Sequence, residues 1–113
     1  MRSLKWVGSS LKDLTQFPCE VQQEVGYALY VAQMGGMYIH TKPFKGCGAG
    51  VYEIVSDHNK NTYRCVYVVN IGHTVYVLHA FQKKSKVGIK TPQEEVNIIK
   101  DRLKRLKASL SKN

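Results

Sequence analysis

Polar residues inside strand-like runs are where this chain offers chemistry, because a sheet face that only packs has no use for them. In the run Val51–Ser56, Glu53 shares a face with Val51 and Val55, since side chains alternate along a strand. In the run Thr62–Asn70, Arg64 stands with Thr62, Val66 and Val68, opposite Tyr63, Cys65, Tyr67 and Val69. In His73–Lys83, parity groups His79, Phe81 and Lys83. Parity leaves open which faces coincide. If the three sets share one side, Glu53, Arg64, His79, Phe81 and Lys83 surround one shallow groove. Such a groove suits cleavage of an RNA strand. The 2′-hydroxyl loses a proton and attacks phosphorus, and the 5′-oxygen leaves and is protonated. A guanidinium or ammonium group stabilises the charge that grows on the phosphate oxygens. Phe81 or Tyr52 offers a ring for an unstacked base, and Lys42, Lys45 and Lys86 offer further phosphate contacts. No carboxylate cluster suited to Mg²⁺ is visible, so the expectation is cleavage without a metal or other cofactor.

Each of these residues also has a purely structural reading. Arg64 is a natural ion-pair partner for Glu53, since arginine is favoured in partly buried pairs. His79 fits a hydrogen-bonded core histidine, and Lys83 with Lys84 fits a solvated strand end. The Lys42-Pro43-Phe44-Lys45-Gly46 loop is basic and glycine-rich but lacks the spacing of a P-loop.

The elements that must position these residues can be read from the pattern. Ser3–Val7 reads as a short strand ending at Gly8. Ser10 three residues before Asp13 resembles a capping box, opening a short helix with Leu11 and Leu14 inward. Pro18 suits the first turn of a second helix, with Val21, Val25, Leu29 and Ala32 on one stripe. Gly35-Gly36 stops it. Residues 37–50 read as a loop. Three strands come next, joined by Asp-His-Asn-Lys-Asn and by an Asn70-Ile71-Gly72 turn, connections short enough to force an antiparallel meander. After a Lys84–Lys90 loop, Thr91, Pro92 and Glu94 read as N-cap, N1 and N3 of a last helix. Its seam is Val96, Ile99, Leu103, Leu106 and Leu110, with Lys100, Arg102, Lys104, Arg105 and Lys107 around the other faces. The order βααβββα predicts an α+β fold, with helices packed on a small antiparallel sheet.

With 113 residues, 43% of them hydrophobic, one domain spanning 1–113 is expected, without disulfide staples. Cys19, Cys47 and Cys65 form no ligand or disulfide pattern; Cys65 reads as core and Cys47 as loop. No run of apolar residues is long enough to span a membrane. The polar stretch Gly8–Asp13 falls where a signal peptide needs an apolar core, so a cytoplasmic protein is expected. The net charge is +9, and residues 81–113 alone carry ten basic against three acidic residues. So concentrated a field favours polyanions through steering and counterion release.

Three blocks together resemble the RelE/ParE toxin superfamily in its phage-derived, HigB-like branch. Lys42 to Ile54 (KPFKGCGAGVYEI) is similar to the family's basic glycine loop and strand entry. Tyr63 to Val69 (YRCVYVV) is similar to its Tyr-Arg strand. Val75 to Lys107 matches its Leu-His-x-Phe-x-Lys-Lys strand, Thr-Pro and terminal helix. The resemblance implies a RelE-like fold and a type II toxin–antitoxin toxin that cleaves messenger RNA on the ribosome. It implies a cognate helix-turn-helix antitoxin as partner. Carried over, Arg64 is the strand arginine, Lys83 and Lys84 the basic pair, and Lys45 the loop lysine. Val55 stands where the family often has arginine, and the C-terminal His-Tyr pair of some relatives is missing. His79, Glu53 and a lysine of lowered pKa thus stay open as general base. The alternatives are a non-catalytic inhibitor on the same fold, as the ParE branch is for DNA gyrase, or an inactive phage-derived binding module.

Overall fold

The computed structural model describes residues 1–83 and 90–111. Lys84 and Lys86, both candidate site residues, lie outside them. In chain order the elements are β1 (Ser3–Trp6), α1 (Ser10–Leu14), α2 (Cys19–Gln33), β2 (Thr41–Pro43), β3 (Val51–His58), β4 (Asn61–Ile71), β5 (Thr74–Lys83) and α3 (Gln93–Leu110). Among the described residues five strands form one sheet in the order β1-β5-β4-β3-β2. The α+β architecture is the expected one, with two differences. Residues 41–43 of the expected loop form the edge strand β2, antiparallel to β3. The first strand pairs parallel with β5, because α1 and α2 intervene and return the chain along the sheet. Val7 N–H donates to the Val77 carbonyl at 2.9 Å and continues that pairing.

Tight turns fix the central meander. Asn59 and Lys60 join β3 to β4 with φ of 49° and 66°, the paired left-handed geometry that matches strand twist in a two-residue hairpin. The sheet separates two cores. On one face, the stripe Val21, Val25, Leu29 and Ala32 of α2 meets Ile54, Cys65, Tyr67, Val75 and Val77. On the other, Ile99 and Leu103 of α3 meet Val51, Val66, Val68, Leu78 and Phe81. Two expected inward leucines point outward instead: Leu11 is 46% and Leu110 48% exposed.

Neither expected capping box forms. Ser9 occupies the cap position of α1 and its hydroxyl donates to Asp13 Oδ2 at 2.8 Å. Ser10 is buried, and its hydroxyl donates to the Val77 carbonyl. Pro92 rather than Thr91 precedes α3, which has no side-chain cap.

One irregularity decides which side chains face α3. Along β5, Val75 and Val77 point to the α1/α2 core and Leu78 to the α3 core. In the register with β4, Val66 is opposite His79 and Tyr67 opposite Val77, leaving Leu78 as an extra residue. This bulge re-aims the remainder of the strand. Ala80 returns to the α1/α2 side, and Phe81 lies on the α3 side.

Candidate active site

Cross-strand register gathers the cations on the α3 face. Arg64 is opposite Phe81, Thr62 opposite Lys83, Glu53 opposite Val66, and Lys42 opposite Glu53. Directly opposed residues project to the same side of a sheet, so Lys42, Glu53, Arg64, Phe81 and Lys83 share one face. Arg64 Nη1 donates to Glu53 Oε1 at 2.8 Å, with both side chains nearly buried. The exposed Lys42 ammonium reaches the same oxygen at 3.6 Å. The short strand β2 holds Lys42 there. Lys83, partly buried at the end of β5, has its ammonium pushed below the ordinary lysine range. The cause is first its burial, then the Arg64 and Lys42 charges, with Glu53 opposing. An open groove of about 550 Å³ runs beside the cluster, lined by Lys42, Phe44, Lys45, Glu53, Lys90 and Val96 among others.

His79 belongs to a second network. Its Nε2 lies 2.8 Å from Glu95 Oε1 and its Nδ1 3.4 Å from Arg102 Nη1, while its ring stacks on Phe81 with centroids 5.0 Å apart. Arg102 donates to the Leu78 carbonyl at 2.8 Å and to Ser9 Oγ at 3.0 Å. Gly8, at φ 57°, leaves the space its guanidinium fills. These contacts tie α3, the β5 bulge and the start of α1 together.

The expected site residues therefore divide. Glu53, Arg64, Lys83 and Lys42 stand together, and Lys45 is exposed at the groove. His79 shares their face but engages both ring nitrogens in the second network. Phe81 is 5% exposed and packed under His79, so its ring is not presented to a base. Tyr52 is on the opposite face, its ring against Tyr67, because it is one residue out of phase with Glu53. Lys84 and Lys86 fall outside the described residues. Three residues not singled out from sequence join the picture: Lys90 at the groove, and Glu95 and Arg102 around His79. In sequence Arg102 reads as one more solvated helix cation, and helix periodicity carries no sign of the carbonyl it reaches. Cys65 is core as expected, its thiol pushed up to about 12 by burial.

The chain belongs to the phage-derived protein Gp49-like family (DUF891), whose model matches residues 12–104. Among solved structures it is similar to a double arginine-to-alanine mutant of the Escherichia coli toxin RelE in the free state. There the TM-score is 0.59 at 17% identity, covering 93% of this chain and 97% of that one. It is also similar to a chain of the toxin–antitoxin complex RelBE2 from Mycobacterium tuberculosis, with TM-score 0.50, 19% identity, and coverage of 74% and 93%. The fold is thus RelE-like, as the sequence blocks implied. No curated protein sequence matches the chain.

Proposed function

We propose that this chain is the toxin of a type II toxin–antitoxin pair, a cytoplasmic endoribonuclease that cleaves messenger RNA on the ribosome. The observation that carries this reading is the gathering of Lys42, Arg64 and Lys83 on one sheet face around a single carboxylate. A net positive cluster beside an open groove is what a phosphodiester requires, since its transition state adds charge to the phosphate oxygens. In this reading Arg64 and Lys42 stabilise that charge, and Lys45 and Lys90 hold flanking phosphates. Lys83, with its proton affinity lowered, takes the 2′-hydroxyl proton. The oxygen attacks phosphorus, the bond to the 5′-oxygen breaks, and that oxygen takes a proton from water, giving a cyclic phosphate and a 5′-hydroxyl. His79 and Glu53 are poor candidates for the base: both ring nitrogens of His79 engage other side chains, Glu53 Oε1 is held by Arg64, and its Oε2 is buried. Lys84 keeps the role of second basic residue that the family resemblance implies. A cognate helix-turn-helix antitoxin completes the pair, in keeping with the toxin–antitoxin complex among the structural neighbours.

One observation favours a second reading, a non-catalytic inhibitor on the same fold: Arg64 already has a buried acidic partner. Induced expression with mapping of transcript ends separates the two. New ends within translated messages support the nuclease; growth arrest with transcripts intact supports the inhibitor.

A further inference from the structure

Glu53 takes no step in the proposed cleavage, yet a carboxylate 5% exposed in mid-strand is expensive to bury. Its Oε1 meets both Arg64 Nη1 and Lys42 Nζ, at 2.8 and 3.6 Å. Its Oε2 is buried with no hydrogen-bond partner among the described residues, as is Arg64 Nε. One oxygen gathers two cations while the other is shielded from any substrate hydroxyl. That arrangement suits an anchor and not a base. Resting on the nuclease reading, we propose that Glu53 is a positioning residue: it holds Arg64 and Lys42 side by side within reach of one phosphate and supplies the negative charge beside which Lys83 works.

Among the described residues, the charged groups around Lys83 are Arg64 from β4, Lys42 from β2 and Glu53 from β3, with Lys90 along the same groove. From α3, Glu95 is taken up by His79. Burial, Arg64 and Lys42 draw Lys83 downward and Glu53 draws it back. Neutralising Glu53 therefore carries Lys83 further down, and the pH profile of cleavage with it.

The test uses the full chain with Glu53→Gln, which keeps the shape and removes the charge. Titration of Lys83 Nζ is followed by NMR, its signal assigned with Lys83→Arg, beside cleavage of a translated message across pH. The Lys83 midpoint should fall. The rising limb of the cleavage profile should move the same way, with kcat lowered and KM little changed. Lys42→Gln, at a side chain 55% exposed, should move the midpoint upward, which keeps the proposal open to test where Glu53→Gln does not fold. An unmoved midpoint in either folded variant overturns it, as does a lost rate with an unmoved profile. A wild-type chain that cleaves no message sinks the nuclease reading instead, and the Lys83 midpoint is still read without it.

Discussion

Arg64 Nη1 bonds Glu53 Oε1 at 2.8 Å from a position only 6% exposed, so the guanidinium on the cationic face is also a structural member of the sheet. Truncating it leaves the buried carboxylate with only the exposed Lys42 ammonium, 3.6 Å away, as its partner. Arg64→Ala should therefore abolish cleavage and also lower stability by about 3–5 kcal/mol. Combining it with Glu53→Gln should recover part of that loss, because the poorly compensated charge is then gone. Urea unfolding of the two single variants and the double variant measures the coupling. Strictly additive losses would show that the two side chains do not support each other.

Lys83 offers the cleaner separation of activity from fold, since it stands at the strand end and only partly buried. Lys83→Ala together with Lys84→Ala should relieve growth arrest and lower cleavage by about 10²-fold or more, with a thermal midpoint near wild type. Because the Lys83 ammonium is pushed below 10.5, wild-type cleavage should rise with pH through a midpoint under that value. The same sign holds for folding: between the lowered value and 10.5 the unfolded chain binds the extra proton, so stability rises with pH across that window. Full toxicity of the double variant would remove Lys83 from the mechanism.

Arg102 should prove a structural residue rather than a polyanion contact. Its guanidinium spans the Leu78 carbonyl, Ser9 and His79, and charged hydrogen bonds of this kind contribute about 1.5–3 kcal/mol each. Arg102→Ala should lower the thermal midpoint, while the cleavage rate per folded molecule stays near wild type. His79→Gln should behave in the same way. Loss of cleavage by His79→Gln at unchanged stability would return the histidine to the chemistry.

Much of this arrangement is legible in residue order, and the failures have physical causes. Strand alternation places Glu53 with Val51 and Arg64 with Val66, and tight turns fix the antiparallel order that brings them to one face. Alternation counted from Val75 would send His79 to the α1/α2 core; only the bulge at Leu78 turns it toward α3. A bulge leaves no mark in a run of β-formers. β2 has three residues, one of them proline, too few to show a period of two. Parallel pairing of β1 depends on where two helices return the chain. Phe81 reads as a base platform because an aromatic beside cations suits RNA equally whether its ring is open or covered. The cover, His79 and α3, comes from tertiary packing.

The antitoxin should bind with salt-sensitive kinetics. Ten basic residues against three acidic over residues 81–113 leave a field that an acidic or helix-rich partner neutralises, and such fields act chiefly on association rate. Expression from an operon should yield a co-purifying complex that does not cleave RNA, with an on-rate that falls as salt rises. Failure of every adjacent gene product to bind or neutralise the chain would count against a toxin–antitoxin role.

The ribosome should supply most of the substrate geometry. The groove beside Lys42 and Glu53 is open rather than enclosed, Phe81 is covered, and Tyr52 faces the other core. Among the described residues, the sheet face thus presents cations without an aromatic platform to hold a splayed base. Proximity and orientation contribute about 7–11 kcal/mol to well-aligned reactions, and cations on a shallow face do not impose that alignment alone. A scaffold presenting one unstacked codon would impose it, leaving Arg64 and Lys42 to stabilise charge. Lys83 would then add a proton transfer worth about 10²–10⁴-fold. Naked RNA at physiological salt should therefore be cut slowly. The same transcript in a translation extract should be cut rapidly, at positions set by the reading frame. Comparing the two with purified protein decides the matter: equal rates, or cuts indifferent to frame, would identify a free ribonuclease and remove the ribosome from the mechanism.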